Sequence, residues 1–162
     1  MIITLTLYAP LFCYFKLYGK YEEAREVLNA TVQEMPHDPY FWNRYAYMLP
    51  VEEKADCLVQ CARAFFEIDQ RFDDVNAGLD TSELGILLYR KLLGLELPYT
   101  FKAPPTKVKA APLKTNTFLW LNYLSLLSLQ AQDLHSFDNM ALTLSAAVDT
   151  IPMRKRSLIA VE

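Results

Sequence analysis

The chain has 162 residues, of which 52% are hydrophobic and 22% charged, and a net charge of −3. That is the length of one domain and apolar enough to bury a core without a metal or disulfide, which argues against a disordered chain. The small negative charge gives no global attraction to nucleic acid or an anionic membrane, so any such contact falls to local basic clusters.

The opening stretch MIITLTLYAPLFCYF carries no charge. It is short of the ~20 apolar residues of a standard span, and it lacks the basic leading region and small-residue cleavage site of a signal peptide. Pro10 suits a helix start. We read a buried first helix, with a membrane-associated helical protein anchored through residues 1–15 as the alternative. From Tyr8 the apolar positions Tyr8, Leu11, Phe12, Phe15 and Tyr18 form one helical stripe, and Gly19 ends it. A second helix over Tyr21 to Met35 opens on Glu22 and Glu23, which suit its N-terminal dipole, and buries Ala24, Val27, Leu28, Thr31 and Met35. The short turn at Gly19 and Lys20 makes the two helices antiparallel.

Pro36 stops the second helix, and Asp38 with Pro39 reads as an N-cap followed by the first helical residue. The third helix runs from Pro39 to Leu49 with Phe41, Trp42, Tyr45, Ala46 and Leu49 inward, and Pro50 closes it. The fourth is expected over Val51 to Ile68, burying Ala55, Leu58, Val59, Ala62, Phe65 and Phe66. Acids, Asn and Gly between Asp69 and Asp80 read as a loop. A fifth helix follows over about Ser82 to Leu93, capped by Asp80 or Thr81 and stopped by Gly94. Prolines and lysines without an acid make residues 99–116 an extended linker or surface arm. Thr115 or Asn116 caps a sixth helix through Leu129, with Leu119, Trp120, Tyr123, Leu124 and Leu127 inward. A seventh spans Ser136 to Val148 with Met140, Leu144, Ala147 and Val148 inward; Pro152 ends it, and MRKRSLIAVE begins an eighth.

The units repeat. GKYEEA is followed at Thr31 by a small residue and at Pro36 by a stop, while Trp42 with Tyr45 and Trp120 with Tyr123 give two WxxY openings. With Ala147 and Pro152 closing the late unit, this pattern resembles the tetratricopeptide family and its half-a-tetratricopeptide (HAT) variant found in RNA-processing scaffolds. The second unit departs from it where Pro50 replaces the usual loop, and the Ser82 to Gly94 unit lacks an aromatic opening. A looser resemblance, carried by LYRKLLGLELP, the Pro/Lys segment and FLWLNYLSLL, is to the carboxy-terminal repeat region of zinc-finger C3H1-domain proteins that connect RNA-decay machinery.

The resemblance implies an all-α fold, an α-solenoid of stacked antiparallel helix hairpins (TPR/HAT-like). Repeats would fill residues 1–98 and 117–162 around the 99–116 linker. It further implies a non-enzymatic scaffold for protein–protein interactions in an RNA-processing or RNA-decay complex, in the nucleus, with other subunits or peptides as partners. By tetratricopeptide geometry Cys13, Asn43, Tyr47 and Ser125 would line the partner-binding groove. A co-chaperone-type peptide binder is the rival; its clamp needs groove lysines or arginines that the sequence does not single out.

His37 and His135 lack a carboxylate at helical spacing to orient them and read as solvated loop residues. Cys57 and Cys61 lie one helical turn apart but lack further ligands, so with Cys13 they read as small apolar residues of a reducing compartment. No GxSxG, HExxH, GxGxxG or Walker motif occurs. No catalytic residue, metal or cofactor is therefore expected. Lys102, Lys107, Lys109, Arg154, Lys155 and Arg156, with Lys114, could contact RNA phosphates, but without interleaved aromatic platforms protein-facing or solvated charge is the favoured reading.

Overall fold

A computed structural model describes residues 2–97, 106–109, 113–130 and 134–152, with side chains from Pro10 onward and, in the last segment, from Asp138. The expectations for Tyr8, Lys102, His135, Arg154, Lys155, Arg156 and the tail helix fall outside the described residues or side chains.

The described chain is mostly helical: α1 (Ile2–Leu17), α2 (Tyr21–Glu34), α3 (Pro39–Tyr47), α4 (Val51–Arg63), α5 (Gln70–Val75), α6 (Thr81–Leu92), α7 (Thr117–Gln130) and α8 (Leu134–Thr150). Among these residues no helix is long and apolar enough to cross a membrane. Helix α1 begins well before Pro10, so Pro10 lies inside it rather than at its start. Its ring is exposed, on the solvent side where a missing backbone donor costs least. At the end of α1, Gly19 takes φ +70°, the left-handed conformation that favours glycine. Lys20 N donates to Phe15 O at 2.8 Å and Gly19 N to Lys16 O at 3.2 Å, which turns the chain back onto α2. Phe12 is buried as expected, but Tyr18 lies exposed, its ring packed against that of the likewise exposed Tyr14 with centres 4.8 Å apart. Helix α2 buries Ala24, Leu28, Thr31 and Val32, leaving Val27 and Met35 partly covered.

Helix α4 stops at Arg63, short of the expected Ile68. Phe66–Ile68 forms strand β1 and pairs antiparallel with β2, Thr106–Val108, in the register Phe66 with Val108, Glu67 with Lys107 and Ile68 with Thr106. The 99–116 span is thus more than linker. Lys91 of α6 donates to Thr106 O at 2.8 Å and Oγ1 at 3.0 Å, and Lys109 N donates to Phe65 O at 2.8 Å. These bonds give β2 a fixed seat. The expected 69–80 loop likewise holds α5, whose first turn is capped by Asp69 accepting from Arg71 N at 2.9 Å, and whose Phe72 is fully buried. Burying one Phe side chain supplies about 1.5–3 kcal/mol, enough to anchor so short a helix.

Packing follows chain order through α1/α2 and α3/α4, and then departs from it. Helix α6 packs on α4, and α7 packs on α6, α4 and α3 before α8 closes on α7. Tyr40 meets Phe118 edge to face at 5.2 Å, and Asn43 meets Asn122 further along, so α3 and α7 run side by side in the same direction. Gly85 makes the close approach of α6 possible: a Cβ there would sit 2.7 Å from Leu126 Cδ1 and 2.9 Å from Val59 Cγ2. Among the described side chains of α8, Thr143 and Ala147 are buried, whereas Leu144, expected inward, is exposed. The helix is rotated so that Thr143 faces α7, its hydroxyl satisfied by Asn139 O at 2.9 Å.

Candidate partner-binding groove

Two helices that open alike build the site. In α3, Asp38 accepts from Tyr40 N at 3.1 Å; in α7, Asn116 accepts from Phe118 N at 3.0 Å and Leu119 N at 3.2 Å. Trp42 Nε1 donates to Pro36 O at 2.9 Å, and Trp120 Nε1 to Lys114 O at 2.7 Å, each reaching six residues back. Both indoles are buried, so these bonds satisfy their polar ends. Each Trp locks the entry turn to its helix and fixes which residues further along face the neighbour.

Those residues meet in a groove of about 250 Å³ between α3, α4 and α7, lined by Asn43, Ala46, Tyr47, Lys54, Leu58, Ser125, Ser128 and Leu129. Three of the four expected groove residues, Asn43, Tyr47 and Ser125, therefore come together. Cys13 does not join them: it is exposed on α1 and is not part of the lining. Tyr47 is 67% exposed at the rim, with the Lys16 and Lys54 ammonium groups each 5.8 Å from its ring centre. Lys54 also donates to Ala46 O at 2.8 Å and Tyr47 O at 3.2 Å, satisfying the last carbonyls of α3.

Below the groove a polar chain crosses the core. Asn43 Nδ2 donates to Asn122 Oδ1 at 2.9 Å, Asn122 Nδ2 donates to Cys61 Sγ at 3.6 Å, and the Tyr89 hydroxyl donates to Leu58 O at 2.7 Å beside them. Burial pushes the Cys61 thiol up to about 12, against the opposing pull of its Tyr89 and Asn122 hydrogen bonds; burial does the same to Cys57. Both cysteines pack as small buried groups on the inner face of α4. Lys54 and Ser128 went unnoticed in the sequence, as did Asn122. The one carboxamide inside the apolar run of α7 was a signal for Asn122.

The other candidates are scattered. Lys107 and Lys109 are exposed on and just after β2, with Lys107 in register opposite Glu67. His37 is exposed, its ring edge-on to Phe65 at 5.5 Å. A second groove, of about 230 Å³, lies on the other side of the α3/α4 hairpin and is lined by Glu53, Asp56, Trp42, Tyr45, Cys57 and flanking amides. Neighbours in sequence, Glu53 and Lys54 thus serve opposite grooves, one lined with acids and one with a cation. Comparison of the chain with family models, curated proteins and solved structures finds no match.

Proposed function

We propose that the chain is a non-enzymatic helical-repeat scaffold, of the tetratricopeptide-like kind, that holds a peptide or another protein subunit in the α3/α4/α7 groove. The observation that carries this is the convergence of Asn43, Tyr47 and Ser125 on one open groove. Support for the repeat reading comes from α3 and α7, which share their cap and their indole bond and lie side by side. Partner binding would bury Tyr47 and the apolar wall of Ala46, Leu58 and Leu129, with the polar groups setting register. By resemblance we assign it to an RNA-processing or RNA-decay assembly in the nucleus.

The test is affinity purification with mass spectrometry, comparing wild type with Ser125→Arg, which places a long cation in the groove from an exposed position. Wild type should capture RNA-processing factors, and the variant should lose them while keeping its melting temperature. Partners retained by the variant would move binding off this groove. A partner set without RNA-processing factors would remove the assembly and leave the scaffold.

A further inference from the structure

We infer that the groove reads the main chain of an extended segment of a partner protein, with Asn43 Oδ1 accepting one of its peptide N–H groups. This rests on the groove being the partner-binding surface. Asn43 is only 8% exposed, and its Nδ2 is engaged with Asn122 Oδ1 at 2.9 Å. Among the described residues nothing donates to its Oδ1. That oxygen is not sealed, since Thr117 Oγ1 is the one buried side-chain polar atom among them that is both closed off and unpaired. It therefore keeps some exposure, and Asn43 is one of the residues that line the groove. Largely desolvated, such an acceptor gains most from a donor that displaces its remaining water.

The rest of the lining selects a neutral, alternating ligand. Ser125 Oγ gives its hydrogen to Leu121 O at 2.9 Å, so toward a ligand it acts as a second acceptor. Among the described residues Lys54 is the one ionic group in the lining, its charge already set against the α3 C-terminus, while Lys16 stays over the Tyr47 ring at the rim. Acceptors beside the apolar wall of Ala46, Leu58 and Leu129 match a peptide main chain with one side chain turned inward. The span from Asn43 to Tyr47 rises roughly 6 Å along α3, about two residues of extended chain at ~3.3 Å each.

The experiment uses the full chain to select binders from a random 12-residue phage-displayed peptide library, keeping those lost to Ser125→Arg. Each backbone amide of the tightest peptide is then N-methylated in turn and binding measured by calorimetry. One N-methyl group should weaken wild-type binding by roughly five- to tenfold, the worth of one hydrogen bond. Asn43→Ala should bind the parent peptide more weakly and lose nothing further to that N-methyl group. Asn122→Ala leaves the Asn43 acceptor in place and should remain sensitive, which separates loss of that oxygen from loss of the polar pair beneath it. The N-methyl scan on wild type stands by itself where the alanine variant fails to fold. Peptides that need the groove but tolerate every N-methyl group within about twofold would overturn this proposal alone. If no selected peptide depends on Ser125, the groove reading falls with it.

Discussion

Helices α3 and α7 start alike and finish differently. Each opens on a capping side chain and a Trp bonded six residues back. Beyond that point α3 stays nearer the surface, with Tyr47 exposed and Tyr45 half-buried beside the acid-lined groove, while α7 packs against α3, α4, α6 and α8 and exposes Ser125 and Ser128. Tyr123, the counterpart of Tyr45, is buried and accepts from Arg90 Nη1 at 2.9 Å. The shared opening governs the first turn and the seat of one ring. What the remaining turns do is decided by what packs on them: α3, left partly uncovered, lines both grooves together with α4, and α7 lends Ser125, Ser128 and Leu129 to the first.

The largest expected effects test the shared part. Trp120→Ala and Trp42→Ala should each cost about 3–5 kcal/mol in urea unfolding, the usual loss for a buried large aromatic. A Trp42 loss under ~1 kcal/mol with Trp120 at full value would break the equivalence of the two openings. The next effect tests the divergence. Asn122→Ala removes the acceptor of Asn43 Nδ2 in a fully buried position, leaving a donor without its partner at a cost of about 1–3 kcal/mol. A neutral result would mean that the polar chain under the groove contributes nothing to holding α3 against α7.

The two helices also mark what could be read in the sequence. Both were legible because cap, Trp and apolar period all lie within one short segment, and Asp80, Gly19 and Gly94 made α6 and the helix ends legible in the same local way. Strand β1 was not, since Phe65 and Phe66 continue the helical spacing of Leu58 and Ala62, and the pairing that recruits them comes from Thr106–Val108 far along the chain. Helix α5 was hidden by its composition, although Asp69 is a sufficient cap and Phe72 a sufficient anchor. Of the groove, Asn43, Tyr47 and Ser125 were named from the tetratricopeptide resemblance, and the structure brings those three together. The Asn43 to Asn122 bond was not legible, because it depends on α7 returning beside α3. Nor was Gly85, whose role exists only where three helices meet.

A smaller effect separates the two tyrosines. Tyr123→Phe should cost about 1 kcal/mol by removing the acceptor of Arg90, and Tyr45→Phe should stay within ~0.5 kcal/mol. Burial raises both phenols' pKa; for Tyr123 the Arg90 hydrogen bond opposes that rise. Equal losses from the two substitutions would mean that the surroundings of the second half of each helix matter less than their common opening.

The smallest effect lies in the caps, and it shows as a pH dependence rather than a loss. Asp38 is partly buried, which raises its carboxyl pKa above the ordinary value of 3.8, and the bond from Tyr40 N offsets only part of that rise. A raised folded-state pKa means the fold favours the protonated acid, so this contribution is fully present below pH 3.8 and is lost as pH climbs through the raised value. Asn116 performs the same capping with no proton to exchange. Asp38→Asn should therefore make α3 resemble α7, keeping the cap while removing this declining component. Thermal melts from pH 3 to pH 6 should show the variant gaining on wild type as pH rises. A variant that instead falls behind wild type across that window would mean the ionised carboxylate is the better cap, its attraction to the α3 N-terminus outweighing the cost of burial.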